Sequence, residues 1–126
     1  MKKILATDKA PAAVGPYSQA IELDGTLYCS GQISIDPKTQ EVFTGDIQKQ
    51  TEMVMENIAA VLAAANLKFS NVVKTTVYLV SMGDFAKVNE VYSKYFQLEP
   101  PARSCVAVSA LPKGVSVEVE VLARRF

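Results

Sequence analysis

Residues 46–66 carry the clearest periodicity in the chain. Ile47, Val54, Met55, Ile58, Val61, Leu62 and Ala65 recur at spacings of three, four and seven, which predicts a helix packed along one stripe. Thr44 or Asp46 is placed to cap its start, and Asn66 to end it in the left-handed conformation. A second stripe, Phe85, Val88, Val91, Tyr92, Tyr95 and Phe96, predicts a helix capped by Asp84 and running to about Phe96. Both stripes read as core.

Elsewhere the period falls to two. Ala20–Leu23 and Thr26–Ser30 are short apolar runs joined by Asp24-Gly25, a strong hairpin signal. Ile33–Ile35 reads as a third short run after Gly31, with a turn at Asp36–Thr39. A glycine inside such a pattern predicts a bulge; it either only bends the sheet or frees an N–H for a ligand. Lys74–Val80 is rich in β-branched residues and reads as a strand. So does Arg103–Ser109, after the stiff Pro100-Pro101. In Val115–Ala123 the valines 115, 117, 119 and 121 share one face, and Ser116, Glu118, Glu120 and Leu122 the other. The turn Leu111–Gly114 predicts that the last two strands are antiparallel neighbours, bringing Arg103, Cys105 and Glu118 together.

The predicted order is β-β-β-α-β-α-β-β. It describes an α+β domain over residues 1–126, with a mixed sheet and two helices packed on one face. Val77, Leu79, Val106 and Val108 make both sheet faces apolar, and two helices cover one. A closed symmetric oligomer is expected to bury the other.

Composition then removes chemistry. The 126 residues include no histidine, which excludes a Ser-His-Asp triad and a Cys-His pair. Two distant cysteines, Cys29 and Cys105, make no zinc pattern, and no phosphate-binding or dinucleotide fingerprint occurs. What remains is carboxylate, tyrosine, arginine, backbone amide and water. The 13 basic residues balance 13 acidic ones, and no basic block exceeds Arg124-Arg125, which argues against nucleic acid. No apolar run reaches the roughly 20 residues of a membrane helix, and the start, Met1 to Asp8, lacks the apolar core of a signal peptide. A cytoplasmic protein is expected.

Within that inventory a few residues stand out. Arg103 opens a strand with a fixed fork of donors that suits a carboxylate or a phosphate, or is a surface arginine at a strand end. Tyr17 closes the stiff segment 10–19, either packed at a loop base or presented to a pocket. Asn89 lies one turn beyond Phe85, at an exposed edge or lining a pocket. Glu118 and Glu120 form either a solvated face or part of a site.

Several motifs together resemble the RidA/YjgF family of reactive intermediate deaminases, or 2-iminobutanoate/2-iminopropanoate deaminases. They are Gly15–Ala20, Ser30-Gly31-Gln32, Val73–Val77, Val88-Asn89, Pro101–Val106 and Val117–Glu120, and the match runs from about Ala10 to Arg125. The resemblance implies a chorismate-mutase-like fold and a homotrimer with sites between subunits. It implies hydrolysis of 2-aminoacrylate/2-iminopropanoate and 2-iminobutanoate, as released by pyridoxal-phosphate-dependent dehydratases, to 2-keto acids and ammonia. It implies no metal and no organic cofactor. By the same resemblance Arg103 would hold the substrate carboxylate and Glu118 would position the attacking water. The backbone at Gly31 and Cys105 would contact substrate, and Tyr17, Ser30 and Asn89 would line the pocket. The segment Gln97–Pro100 is shorter than in many relatives, and Asn66 stands where glycine is common.

The chemistry suits the inventory, because an iminium carbon is already electrophilic and needs only orientation and a proton carrier. Without a histidine base, Cys105 reads as a small buried residue contributing its main chain rather than a nucleophile. Two other functions compete. One is a sensor that binds 2-keto acids through the same arginine without turnover. The other, attached to relatives, is RNA cleavage or translational inhibition, which the neutral charge and missing histidine oppose.

Overall fold

The long helix α1 spans Ile47–Ala64, and its start is fixed as the sequence predicts. In the computed structural model, which describes residues 1–126, the Asp46 carboxylate accepts the Lys49 N–H at 2.9 Å. Asn66 follows the end of α1 at φ 59°, the left-handed turn expected of it. The second helix, α2, spans only Phe85–Tyr92. Asp84 makes no side-chain cap; Ser81 Oγ instead accepts the Gly83 N–H at 3.1 Å and opens a 3₁₀ turn that leads into α2. Tyr95 and Phe96 lie beyond the helix yet still pack inward, with the Tyr92 and Phe96 rings 4.8 Å apart.

Six strands form one mixed sheet: β1 Lys3–Leu5, β2 Ala20–Leu23, β3 Thr26–Cys29, β4 Val72–Leu79, β5 Ala102–Ala107 and β6 Val117–Arg124. Their spatial order is β1-β2-β3-β6-β4-β5, and only β4 and β5 run parallel. The β2–β3 turn has both central residues at positive φ, Asp24 at 52° and Gly25 at 80°, the twist that suits a two-residue hairpin. Three strands precede α1, as expected, but they are not the expected three. β1 pairs with β2 through Ile4 and Ile21, while Gln32–Ile35 makes only isolated bridges, Gln32 to Val119 and Ile35 to Val42.

The expected hairpin between the last two strands does not form. β4 lies between β5 and β6. The reason is the crossover: β4, α2 and β5 form a unit in which the helix returns the chain to run parallel with β4. After β5 the chain passes around the end of β4, where Val108 N–H donates to Leu79 at 2.7 Å and Val80 N–H to Ser116 at 3.2 Å. The segment Leu111–Gly114 is therefore part of a connector, with Lys113 itself left-handed at φ 57°.

Helices α1 and α2 cover one face of the sheet. Leu27, Val77, Leu79, Val117 and Val119 of that face are at most 1% exposed and belong to one continuous core with Val54, Met55, Ile58 and Val88. Burying each such side chain contributes about 1.5–3 kcal/mol. The opposite face is mixed rather than apolar. Val77 and Leu79 turn to the helices; Tyr78, Glu118, Glu120 and the exposed Tyr28 and Val106 face outward. Buried amides hold the irregular chain. Gln19 bonds the backbone of Thr7 and Pro11, Gln50 bonds Gly45 and Ser116, and Asn57 bonds Ile33 and Ile35.

Candidate functional site

The bulge predicted at Gly31 is present. β3 pairs Tyr28 with Leu122, and the same chain pairs again at Gln32 with Val119. Four steps on one chain therefore face three on β6, so one residue is extra. Gln32 exchanges both backbone bonds with Val119, at 2.8 and 3.1 Å, and Ser30 N–H is taken by Gln19 at 2.9 Å. Gly31 N–H, between them, donates to no acceptor in the chain.

Glu118 lies over this bulge. A Cβ at residue 31 would stand 2.5 Å from Glu118 Oε2 and 3.0 Å from its Cδ, so only glycine leaves room for the carboxyl. Burial pushes the Glu118 carboxyl above the usual glutamate range, and the Glu120 charge adds to the rise. The two glutamates, Tyr17, Ser30, Gly31 and Lys113 line one cavity of about 900 Å³. Tyr17 is exposed at its rim; Ser30 spends its hydroxyl on the Ser18 carbonyl at 2.6 Å, tying the loop that carries Tyr17 to the bulge.

Arg103, Asn89 and Cys105 gather elsewhere. Arg103 pairs with Thr75 across β4–β5, which places it on the helix side of the sheet. Its Nη1 donates to Asn89 Oδ1 at 2.8 Å. Its guanidinium carbon lies 4.8 Å from the Tyr92 ring centroid and 5.4 Å from that of Phe85. Each such cation–π contact is worth about 0.5–1 kcal/mol at an exposed site. Tyr92 is itself fixed by a 2.8 Å hydrogen bond with Thr75. No carboxylate of the chain pairs with Arg103; the one ion pair is Arg125–Glu22. Cys105 packs against the core on this same side. Burial pushes its thiol up, with Arg103 opposing, and lifts Cys29 to about 12. Neither is a thiolate nucleophile at neutral pH.

The seven residues singled out in the sequence thus form two groups on opposite faces. Tyr17, Ser30, Gly31 and Glu118 share the open-face cavity; Arg103, Asn89 and Cys105 share the edge strand β5 and the helix above it. The convergence of Arg103 and Cys105 with Glu118 does not occur within one chain, because β4 intervenes. Two supports were not visible beforehand. Phe85 and Tyr92 read as core, though their spacing of four and seven from one start puts them on the helix face that carries Asn89. Tyr78, whose hydroxyl donates to Glu120 at 3.1 Å, gave no signal beyond its place in a strand. No three His, Cys, Asp or Glu side chains gather in a way that would hold a metal ion. No helix is long and apolar enough to cross a membrane.

Comparison with known proteins covers almost the whole chain. Residues 7–125 match the model of a family described as Endoribonuclease L-PSP. A RutC family protein of Pyrococcus horikoshii is 53% identical over 123 residues, spanning 98% of this chain and 98% of that protein. The 2-iminobutanoate/2-iminopropanoate deaminase of Mus musculus is 46% identical over 123 residues, covering 98% of this chain and 91% of that protein. The crystal structure of E. coli TdcF with bound serine superposes with a TM-score of 0.94 at 42% identity, over 98% of this chain and 99% of that one.

Proposed function

From a chain that belongs to the Endoribonuclease L-PSP family, also called RidA/YjgF, we propose hydrolysis of reactive 2-imino acids to 2-keto acids and ammonia. The observation that carries this reading is Glu118, a carboxyl of raised proton affinity set over a glycine whose N–H is free. The deaminase name borne by mammalian relatives and the serine bound in TdcF support a small amino-acid-like substrate.

The substrate is R–C(=NH₂⁺)–COO⁻, with R methyl for 2-iminopropanoate and ethyl for 2-iminobutanoate. Arg103, held by Asn89, Tyr92 and Phe85 and without an acidic partner, offers its fork to the carboxylate. Gly31 N–H and the backbone at Cys105 add donors. Glu118 takes a proton from water as its oxygen bonds to the imine carbon, and the C=N double bond becomes single. The nitrogen gains a proton, ammonia leaves as the carbonyl forms, and the sum is substrate plus water to 2-keto acid plus ammonium. Protonation by a well-placed carboxyl contributes typically ~10²–10⁴-fold.

Opposite faces require two subunits. Glu118 and Arg103 are separated by the sheet and by the two strand spacings from β6 to β5, roughly 10 Å. One substrate meets both only if the β5 edge of one copy is set against the open face of another. That is a heterologous contact, which closes into a ring, and a homotrimer is the ring we propose. The test generates the imine in situ with a threonine or serine dehydratase and follows keto-acid release. Acceleration above the spontaneous rate is expected. A protein that binds 2-ketobutyrate yet leaves that rate unchanged would overturn hydrolysis in favour of sensing.

A further inference from the structure

The outward face of β6 carries two carboxyls, and their surroundings differ. Glu118 sits over Gly31, half-buried. Glu120, two residues on and on the same face, lines the same cavity but has a donor of its own: Tyr78 O–H, from the neighbouring strand β4, at 3.1 Å. The register explains the contact. Tyr78 lies directly across from Glu118, and Thr76 across from Glu120, so the Tyr78 ring reaches diagonally along the face. The bond holds Tyr78 in its protonated, donating form.

We propose that Glu120 and Tyr78 are positioning residues: the phenol fixes the Glu120 carboxyl beside Glu118 in the shared cavity, where it acts on the proton that Glu118 takes from water and returns to nitrogen. This rests on the hydrolytic reading above for its purpose, but not for its geometry. Two carboxyls on one strand face, in a shared cavity, resist ionising together. Tyr78 bonds Glu120 and not Glu118, so the two carboxyls stand in different surroundings. Burial acts on Glu118 in the same direction as the Glu120 charge.

The other groups facing Glu118 are few. Tyr17 comes from the loop before β2, Tyr78 from β4 and Lys113 from the connector before β6; all are cavity residues or register partners. Lys113 is the one cation among the cavity residues close in sequence to Glu118, and it is exposed, so its charge is well screened. Lys74, the next cation on the same face, is turned to Ser104 Oγ at 3.1 Å on β5. Within one subunit no cation is therefore bonded to either glutamate; in the two-subunit site proposed above, Arg103 of the neighbouring copy faces Glu118 across the substrate.

The experiment is a carboxyl-carbon NMR titration of the full chain labelled at glutamate, with Glu118 assigned by its loss in Glu118→Gln. It is run on the unaltered protein, Glu120→Gln and Tyr78→Phe, beside pH–rate profiles for imine hydrolysis. In Glu120→Gln the Glu118 midpoint should fall, and the acid limb of the pH–rate profile, where Glu118 ionises to accept the proton of water, should move down with it. Tyr78→Phe, which keeps the ring and so the packing, should move the midpoint the same way by less. An unchanged Glu118 midpoint in both variants would overturn the pair, whatever the activity. A midpoint that moves in a protein without imine turnover would uphold the pair and overturn the hydrolytic reading instead.

Discussion

At the scale of single residues, Gly31 and Glu118 depend on each other. Gly31→Ala places a Cβ against the Glu118 carboxyl, the end of a flexible side chain, and the residue has no positive φ to strain. The fold should tolerate it, with a stability change within about 1 kcal/mol by urea melts. Imine hydrolysis should drop by at least about tenfold, because the displaced carboxyl leaves the bulge. Glu118 also carries a cost to the fold. Its folded proton affinity is raised, so the folded state binds that proton more tightly than the unfolded chain does. The resulting stability is full below the unfolded value, near ~4.3, and is lost as pH rises through the folded one. Glu118→Gln should therefore melt higher than the parent at pH 7, with the gap closing toward pH 4; an equal gap at both pH values would show that burial does not hold the proton. Arg103→Lys keeps charge but loses the fork and the ring stacking, and should weaken 2-ketobutyrate binding by about ten- to a hundredfold in calorimetry.

At the scale of elements, what reads directly from the chain is what local spacing controls. The stripe of α1, the Asp46 cap, the Asp24-Gly25 turn and the bulge at Gly31 all depend on residues within a few positions of one another. The neighbour of β5 does not. A short Pro-Gly turn suits a hairpin, but pairing was settled by the α2 crossover and by which edge of β4 stayed open. From that one difference follow both the face of Arg103 and its separation from Glu118. β1 escaped notice because three residues are too few to show a period, and the expected Asp84 cap fails because Ser81 reaches the turn first. The buried amides are the other unreadable part, since a glutamine in a loop looks the same clamped or free. Gln19→Leu keeps volume but strands the Thr7 N–H and removes the donor to Pro11. It should cost about 1–3 kcal/mol in urea melts and speed hydrogen exchange across residues 7–17.

At the scale of the whole molecule, the division of polar groups between two faces gives a quantitative test of the two-subunit site. In the homotrimer proposed above, Arg103→Lys and Glu118→Gln would each disable every site of a uniform ring. Refolded together in equal amounts, the two variants should recover activity. A site pairs an intact arginine with an intact glutamate only when one particular subunit type precedes the other, so about a quarter of the sites are restored in random rings. No recovery, with mixed rings demonstrated by mass spectrometry, would put both residues in the site of one subunit and refute the arrangement proposed.

The position of β5 has a further consequence, for the fate of newly made chain. It is one of the two edge strands, six residues long, paired on one side only and carrying an exposed Val106. A free strand of that kind is a template for any other extended chain, and the assembly proposed above would cover it. Pro100 and Pro101 stop the ladder from extending before Ala102, and Arg103 adds charge to the strand. These protections are partial. Substitutions that weaken assembly should therefore reduce soluble yield before they lower the melting temperature, and replacing Pro101 with valine should worsen that loss.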